Sequence, residues 1–386
     1  MKLLVVSHSC STPINQQIYA EVEQLTGWQI TLVVPSNWKT EYGKTMGGER
    51  WPAFKGQIIA VPVWRSGNVI LHAYKTSFSR LLHAASPDAI YVNHEPYAVA
   101  TAQVYLANRN AKKPIGFYSC QNISKRYPPP FRWTEAMVMR RSSFFFPISI
   151  DVETVFRNKG YAGSSAVLPL GVDLAVYHPR TQGSELRARL ARDGEVLIGF
   201  VGRIVREKGL STLVKALAEV RDLPWRLVLV GSGPYAGPFD AEAAELGLSD
   251  RITHAGYIPH EQAPEYLSAF DMLVLPSETQ PNWKEQFGRV VIEAMACGTP
   301  VLGSNSGEIP NLIADTGGGL VFKERDPRDL AAQLAALIRN PAVRAELAAK
   351  GRLAVEDRYS LPAIARKFAT TVERAVSRQT GTDDIC

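Results

Sequence analysis

The chain has 386 residues, 46% apolar and 21% charged, with a net charge of +6; the length suits two cores better than one, and the charge admits an anionic partner. No apolar run approaches the roughly 20 residues that cross a bilayer, and residues 1–6 are too short for a secretory h-region, so a cytosolic location is expected. The four cysteines, Cys10, Cys120, Cys297 and Cys386, have no metal-type spacing and are expected as reduced thiols, which argues against a disulfide framework.

In chain order, apolar runs alternate with helical patterns, which predicts parallel sheets wound by crossover helices. In the first half the expected strands are 3–7, 30–34, 58–62, 89–92, 115–118 and 144–148, with a strand-like piece at 166–168. Within this half, Arg109, Lys112, Lys113, Lys125, Arg126, Arg132, Arg140 and Arg141 face a single acid, Glu135. Aromatics and prolines interleave with them over 126–133. The segment reads either as a solvated helix flank with a rigid loop or as a surface for anionic lipid headgroups or a lipid-diphosphate acceptor. No nucleic-acid-binding module is present, so nucleic acid is not an expected partner. From Pro169 to about Asp193 the chain is polar, irregular and rich in Arg, and is expected to link domains at 1–172 and 173–359.

The second half predicts strands at 196–201, 226–230, 252–255, 272–276, 300–303 and 319–322. Helices are expected at 210–220, 264–269, 289–296, 329–338 and 343–356. A last helix near 362–377, within a segment 360–386, has room to return and brace the first domain. Ligands of such sheets bind at the carboxyl ends of strands. There, after residues 196–201, a glycine turn is followed by Arg203 and Lys208, a fork and a point charge suited to a diphosphate. Gly231 and Gly233 follow the next strand and permit either close backbone approach to a ligand or a plain tight turn. After 272–276 comes Glu285-Gln-Phe-Gly-Arg-Val-Val-Ile-Glu293, where Gly288 lies near a helix start that would present N–H groups to an anion. Glu285 lies just before that helix and Glu293 about two turns further on, a separation of roughly 12 Å at 1.5 Å per residue. They are then too distant to share one reacting atom, unlike the carboxylate pair of simple glycosidases. Two hydroxyl-bearing parts of one ligand, on either side of a diphosphate, suit them better.

Arg203 and Lys208, the Gly-Ser-Gly-Pro turn at 231–234, the spaced Glu285 and Glu293 around Phe287-Gly288, and Glu293-Ala-Met-Ala-Cys-Gly-Thr-Pro-Val301 together resemble the family-4 retaining glycosyltransferases, glycosyltransferase group 1. The resemblance covers nearly all of the second half; the first half matches in architecture. It implies an α/β GT-B fold, in which two Rossmann-like doubly wound domains face across a cleft and a C-terminal helix returns to the first. It also implies a retaining hexosyltransferase that moves sugar from a UDP- or GDP-linked donor to a hydroxyl acceptor, in cell-surface polysaccharide or glycolipid assembly. By that resemblance Arg203 and Lys208 hold the diphosphate, Glu293 the ribose, and Glu285 a hydroxyl of the transferred sugar. Backbone amides of Phe287, Gly288 and Arg289 touch sugar and phosphate, Gln286 belongs to the same donor-binding stretch, and Tyr257 and Ile258 seat the base.

The first domain departs from the family pattern. Ser7-His-Ser-Cys-Ser-Thr-Pro13 stands where the family carries a Gly-Gly loop, and Tyr118-Ser-Cys-Gln-Asn122 stands where many members place a His. Gln121 or Asn122 offers an amide in its place. His8 and His94, each after a strand, are candidates for the same work, with Ser9, Asn15 and Arg126 completing the acceptor side; His94 joins Glu285, Arg203 and Lys208 as a catalytic candidate. No Asp-x-Asp follows a strand and no His/Asp/Glu cluster has ligand spacing. Neither metal nor cofactor is therefore expected: Arg203, Lys208 and a helix N-terminus would stabilise the departing diphosphate. Expected partners are a nucleotide sugar, a glycan or glycolipid acceptor, and the inner membrane face through residues 109–141. Two other readings share the plan, a sugar-nucleotide epimerase or hydrolase and a non-catalytic nucleotide-sugar-binding subunit.

Overall fold

The computed structural model describes residues 1–40 and 43–380; Cys386 and the end of the expected return segment lie outside the described residues. The chain divides into two α/β units, Met1–Gly171 joined by the chain from Leu361 onward, and Val172–Ser360.

The first unit is built on a seven-stranded sheet of β1 (Lys2–Ser7), β2 (Gln29–Pro35), β3 (Gln57–Val61), β4 (Ala89–Asn93), β5 (Ile115–Ser119), β6 (Phe144–Pro147) and β7 (Ser164–Ser165). Their order across the sheet is β7-β6-β5-β4-β1-β2-β3, and every pair is parallel. Strands covered on both faces must be apolar throughout, and Leu3, Leu4, Val5 and Val6 are each at most 1% exposed. The helix Leu361–Thr380 does return to this unit, packing Ile364, Ala365, Phe368, Ala369 and Val372 into the core that holds Tyr19, Tyr91, Phe144 and Phe146. The expected piece at 166–168 is not a strand. It runs on from β7 through Ala166 N–H to Phe145 O (3.0 Å) and Leu168 N–H to Pro147 O (2.8 Å). Two small hairpins, Trp38–Lys39 with Thr45–Met46 and Val63–Trp64 with Ala73–Tyr74, stand off the sheet.

The second unit has a six-stranded parallel sheet of β8 (Val196–Val201), β9 (Trp225–Val230), β10 (Ile252–Gly256), β11 (Met272–Leu275), β12 (Val301–Ser304) and β13 (Gly319–Phe322), in the order β10-β9-β8-β11-β12-β13. One correction concerns residues 169–193, expected as a linker. They contain the helix Gln182–Leu190, which is part of this unit's body. Its inward stripe is only Gly183, Leu186 and Leu190, at i, i+3 and i+7. A Cβ at Gly183 would lie 2.8 Å from Ser268, and Arg187 pairs with Asp271. A stripe that thin, among Arg and Glu, does not announce a buried face.

In both sheets the strand order reverses once, between β1 and β4 and between β8 and β11. The loops leaving a reversal point diverge to opposite faces, opening a crevice at the carboxyl ends of those strands.

Candidate active site

In the second unit the loops after β8 and β11 meet at that crevice. Gly209 has φ 68° and caps the helix Leu210–Glu219; a Cβ on it would lie 1.8 Å from Pro276 O, so only glycine lets the two loops close. Glu278 N–H then donates to Glu207 O at 2.8 Å. The result is an ion pair 77 residues apart in sequence, Lys208 Nζ to Glu285 Oε2 at 2.5 Å. Ser277 Oγ donates to the same oxygen at 2.8 Å, and Lys208 Nζ stands 5.4 Å from the centre of the Trp283 ring. The backbone of Glu285 is also held: Glu308 N–H donates to its carbonyl at 3.2 Å, and a Cβ on Gly307 (φ 56°) would come within 1.9 Å of that oxygen. Glu285 is left 8% exposed.

Gly288, at φ 78°, is the residue before the helix Arg289–Ala296, whose start has no side-chain cap. The helix dipole and unspent N–H groups there favour an anion. The helix begins at Arg289, as expected, so the rise of 1.5 Å per residue holds only from there and the expected separation of roughly 12 Å between Glu285 and Glu293 does not follow from it. Glu293 is 8% exposed. Its Oε1 lies 2.8 Å from Arg289 Nε, but the two are not aligned as a hydrogen bond, and both buried atoms keep unspent hydrogen-bonding capacity. Burial and the Glu293 carboxylate push the Tyr177 phenol upward, and its hydroxyl lies 3.1 Å from the His260 ring nitrogens.

The remaining donor-side candidates are distributed around this centre. Arg203 is exposed on the loop after β8. Gly231 and Gly233 serve loop-to-loop packing, since a Cβ on either would lie 1.9 Å from Gly202 O or 2.2 Å from Ile204 O. Tyr257 is 74% exposed and Ile258 half-buried, next to the Gly231 turn through Gly231 N–H to Gly256 O at 2.8 Å. Gln286 is exposed and Phe287 buried. Ser277 and Trp283 were not singled out in the sequence; the place of Ser277, just past β11, was the available signal.

In the first unit the crevice holds a different chemistry. His8 follows β1 and His94 follows β4, and their Nδ1 atoms are 2.7 Å apart with the rings stacked at 4.8 Å. His72, from the loop before Ala73–Tyr74, joins them at ring distances of 5.4 and 5.0 Å. The sequence offered no His/Asp/Glu set with ligand spacing; in the fold, loops from three places bring these three histidines to one crevice, and linear spacing carries no trace of it. Burial, then the neighbouring His72, pulls His8 down to about 3; burial also lowers His72 and His94. The three imidazoles are therefore uncharged near neutral pH.

Glu95, next to His94, accepts from Ser119 Oγ (2.6 Å) and Cys120 N–H (2.8 Å), and burial pushes its carboxyl up to about 7 against those two bonds. A carboxyl that titrates near neutrality suits proton transfer. Like His72, it was not among the sequence candidates. Gln121 and Asn122 are both 6% exposed, and Gln121 Oε1 has no hydrogen-bond partner. Ser9 Oγ bonds Ser7 Oγ at 2.9 Å, Asn15 Nδ2 donates to Ser9 O at 2.8 Å, and Arg126 is exposed. Cys10, Cys120 and Cys297 are free thiols that burial pushes up to about 11, 12 and 12.

The basic segment is sharpened by the fate of its one acid. Glu135 is 6% exposed and pairs inward with Lys159 Nζ at 2.6 Å. Outside, Arg109, Lys112, Lys113 and Arg141, with Arg378 from the returning helix, line a groove of about 610 Å³. Leu106 and Trp133, 50% and 67% exposed, stand on the same pair of helices, Val99–Ala111 and Phe131–Arg141. Among the described residues no helix is long and apolar enough to cross a membrane.

Comparison with known proteins bears on the second unit first. Residues 183–354 match the model of glycosyl transferases group 1. The 2-deoxystreptamine glucosyltransferase of Streptomyces kanamyceticus is 32% identical over 196 residues, 50% of this chain and 49% of that protein. A D-inositol 3-phosphate glycosyltransferase of Segniliparus rotundus is 37% identical over 196 residues, 49% of this chain and 42% of that one. The chain thus spans about half the length of the curated relatives it matches. Among solved structures, a sucrose-phosphate synthase from Thermosynechococcus elongatus superposes with TM-score 0.73 at 21% identity, over 98% of this chain and 100% of that chain. HepE of Anabaena, in complex with UDP, superposes with TM-score 0.74 at 19% identity, over 97% and 100%. At these identities the likeness shows the fold, which is α/β of GT-B type.

Proposed function

We propose that the protein, whose residues 183–354 match the model of glycosyl transferases group 1, transfers a hexosyl group, with retention, from a nucleoside-diphosphate sugar to a hydroxyl acceptor. The observation that carries this reading is the Lys208–Glu285 pair, 2.5 Å apart at the β8/β11 crevice and flanked by an uncapped helix start. A cation and a helix N-terminus meet a diphosphate; a carboxylate beside them meets a sugar hydroxyl. Arg203 and Lys208 take the diphosphate, Glu285 the sugar, Glu293 with its unspent Oε1 the ribose, and Tyr257 with Ile258 the base. UDP- and GDP-sugars both suit these groups; HepE was solved with UDP, which favours uridine.

Transfer proceeds by front-face attack. The acceptor oxygen bonds the anomeric carbon as the bond from that carbon to the phosphate oxygen breaks on the same face, and the acceptor proton passes to the departing phosphate. Arg203, Lys208 and the helix start stabilise the charge growing on that leaving group, without a divalent cation at the diphosphate. The first unit selects the acceptor, with His8, Ser9, Asn15, His94, Gln121, Asn122 and Arg126 as its polar groups. Its basic face, with Leu106 and Trp133, docks on an anionic lipid surface, consistent with a glycolipid or polysaccharide acceptor made at the inner membrane face.

NMR of the product decides the stereochemistry; an inverted anomer would overturn retention. Incubating UDP- and GDP-sugars without acceptor tests the rival chemistry, since a new sugar or free sugar formed at the rate of transfer would favour an epimerase or hydrolase.

A further inference from the structure

We propose that His8, His72 and His94 form a binding site for one divalent transition-metal ion of the zinc class, with the fourth coordination position open. The proposal stands on the first unit alone and does not depend on the transferase reading.

One nitrogen from each ring can be chosen so that all three lie within 4.8 Å of one another. Zinc–imidazole bonds of about 2.0–2.1 Å in a tetrahedron put ligand nitrogens about 3.3–3.4 Å apart. Modest side-chain rotations close that difference. His8 Nδ1 and His94 Nδ1, at 2.7 Å, are closer than a metal would hold them. Between two neutral rings only one proton can occupy that contact, and a cation can replace it.

The third ring supplies the observation that packing alone does not explain. His72 is fully buried, its Nδ1 is 2.9 Å from Asn68 O, and its Nε2 has no hydrogen-bond partner. A neutral ring that donates from Nδ1 to a carbonyl leaves a lone pair on Nε2, and buried polar atoms left this way call for an explanation. A metal ion is an acceptor for that lone pair. The outer contacts are those metal-bound histidines use: a backbone carbonyl on His72 Nδ1, and the Tyr74 hydroxyl 3.3 Å from His94 Nε2. Three neutral imidazoles with neither thiolate nor carboxylate favour Zn²⁺, Co²⁺, Ni²⁺ or Cu²⁺ over Mg²⁺ or Ca²⁺. Three protein ligands leave room for water or a ligand oxygen, as sites that do chemistry require. His8, the half-buried member of the three, marks the side from which it enters.

The test uses the full chain after dialysis against a chelator, titrated with Co²⁺. The expected result is one equivalent bound, visible absorption bands of tetrahedral Co²⁺, and displacement by Zn²⁺. Trp38, whose ring centre is 4.8 Å from His8 and 5.0 Å from His72, reports occupancy through fluorescence quenching that Trp38→Phe abolishes. His72→Ala should weaken binding by more than the roughly 10–100-fold that outer-shell changes cost, and Tyr74→Phe by about that amount. His8→Ala, at a less buried ring, serves as the second ligand variant, with near-UV circular dichroism confirming that each variant folds. Exposed His254 is the control, and His254→Ala should bind as the parent does. Absence of stoichiometric binding by the parent would overturn the site, as would parental affinity in both ligand variants.

Discussion

Replacing Lys208 with Met separates what this residue does for the fold from what it does for the donor. The side chains of Lys208 and Glu285 are 14% and 11% exposed, so the pair is largely withdrawn from water. Removing one partner of a buried pair costs about 3–5 kcal/mol; at a crevice that water reaches, with Ser277 Oγ still donating to the stranded carboxylate, about 2–3 kcal/mol is the better expectation. At roughly 2–4 °C per kcal/mol for a domain of this size, the melting temperature of the second unit falls by about 4–12 °C. The double variant Lys208→Met/Glu285→Gln removes the stranded charge and should recover to within about 1 kcal/mol of the parent, because paired removal of buried charges is often near neutral. Transfer should not recover: both variants stay down by roughly 10²-fold or more, as for a lost stabiliser of leaving-group charge. Thermal unfolding without ligand and transfer of labelled sugar are measured side by side. A single variant as stable as the parent would refute the closed pair, and a double variant with restored turnover would refute Lys208 as a diphosphate ligand.

Other expectations address separate parts of the molecule. Arg203→Ala, at an exposed position, should change stability by no more than about 0.5 kcal/mol yet cut transfer by roughly 10²-fold; parental turnover would remove it from the site. Gly307→Ala places a Cβ against Glu285 O at φ 56°, so stability should fall by about 1–3 kcal/mol and the thermal shift given by a nucleoside-diphosphate sugar should shrink; an unchanged shift would mean that Glu285 is not held there. Raising a thiol from 9 to about 12 lowers its thiolate fraction at pH 8 by roughly 10³, so Cys120 in the native protein should alkylate far more slowly than in urea by peptide mass spectrometry. Binding to anionic vesicles should fall by roughly tenfold or more in Lys112→Glu/Arg141→Glu, at about 1 kcal/mol per cation, and should weaken with salt; salt-insensitive or absent binding by the parent would refute the basic face.

The parallel strands were legible because strands covered on both faces have to be apolar, as in Leu3 to Val6 and in β11. The helix Arg289–Ala296 was legible in its bounds because Gly288 and Cys297-Gly298 bracket an apolar run. Arg203, Lys208, Glu285 and Glu293 could be picked out as types in a pattern. Their contacts could not, since the Lys208–Glu285 pair depends on Gly209 closing against Pro276 O, a tertiary approach that no local signal encodes. The helix Gln182–Leu190 was hidden by its own composition, a thin stripe among charges. His72 was hidden more deeply: it sits in the loop of a small hairpin off the sheet, with no motif around it, and becomes notable only when β1 and β4 bring His8 and His94 to it.

The two units share one topological device and fill it with opposite chemistry. At the β8/β11 reversal the groups are ionic, Lys208 with Glu285, and glycines at 209 and 307 press the neighbouring backbones against them. At the β1/β4 reversal the groups are imidazoles and aromatics, and burial holds His8 at about 3 and lowers the other two. Uncharged rings offer a diphosphate no Coulombic attraction near neutral pH, and protonating them in that setting works against their burial. A nucleoside diphosphate therefore finds charge stabilisation at the β8/β11 crevice and none from the imidazoles of the β1/β4 crevice. The first has lone pairs to offer instead, which suit a hydroxyl proton or a metal ion. The missing Gly-Gly loop and family His then need not mark a damaged donor site: they lie on the crevice whose chemistry is set by neutral donors and acceptors.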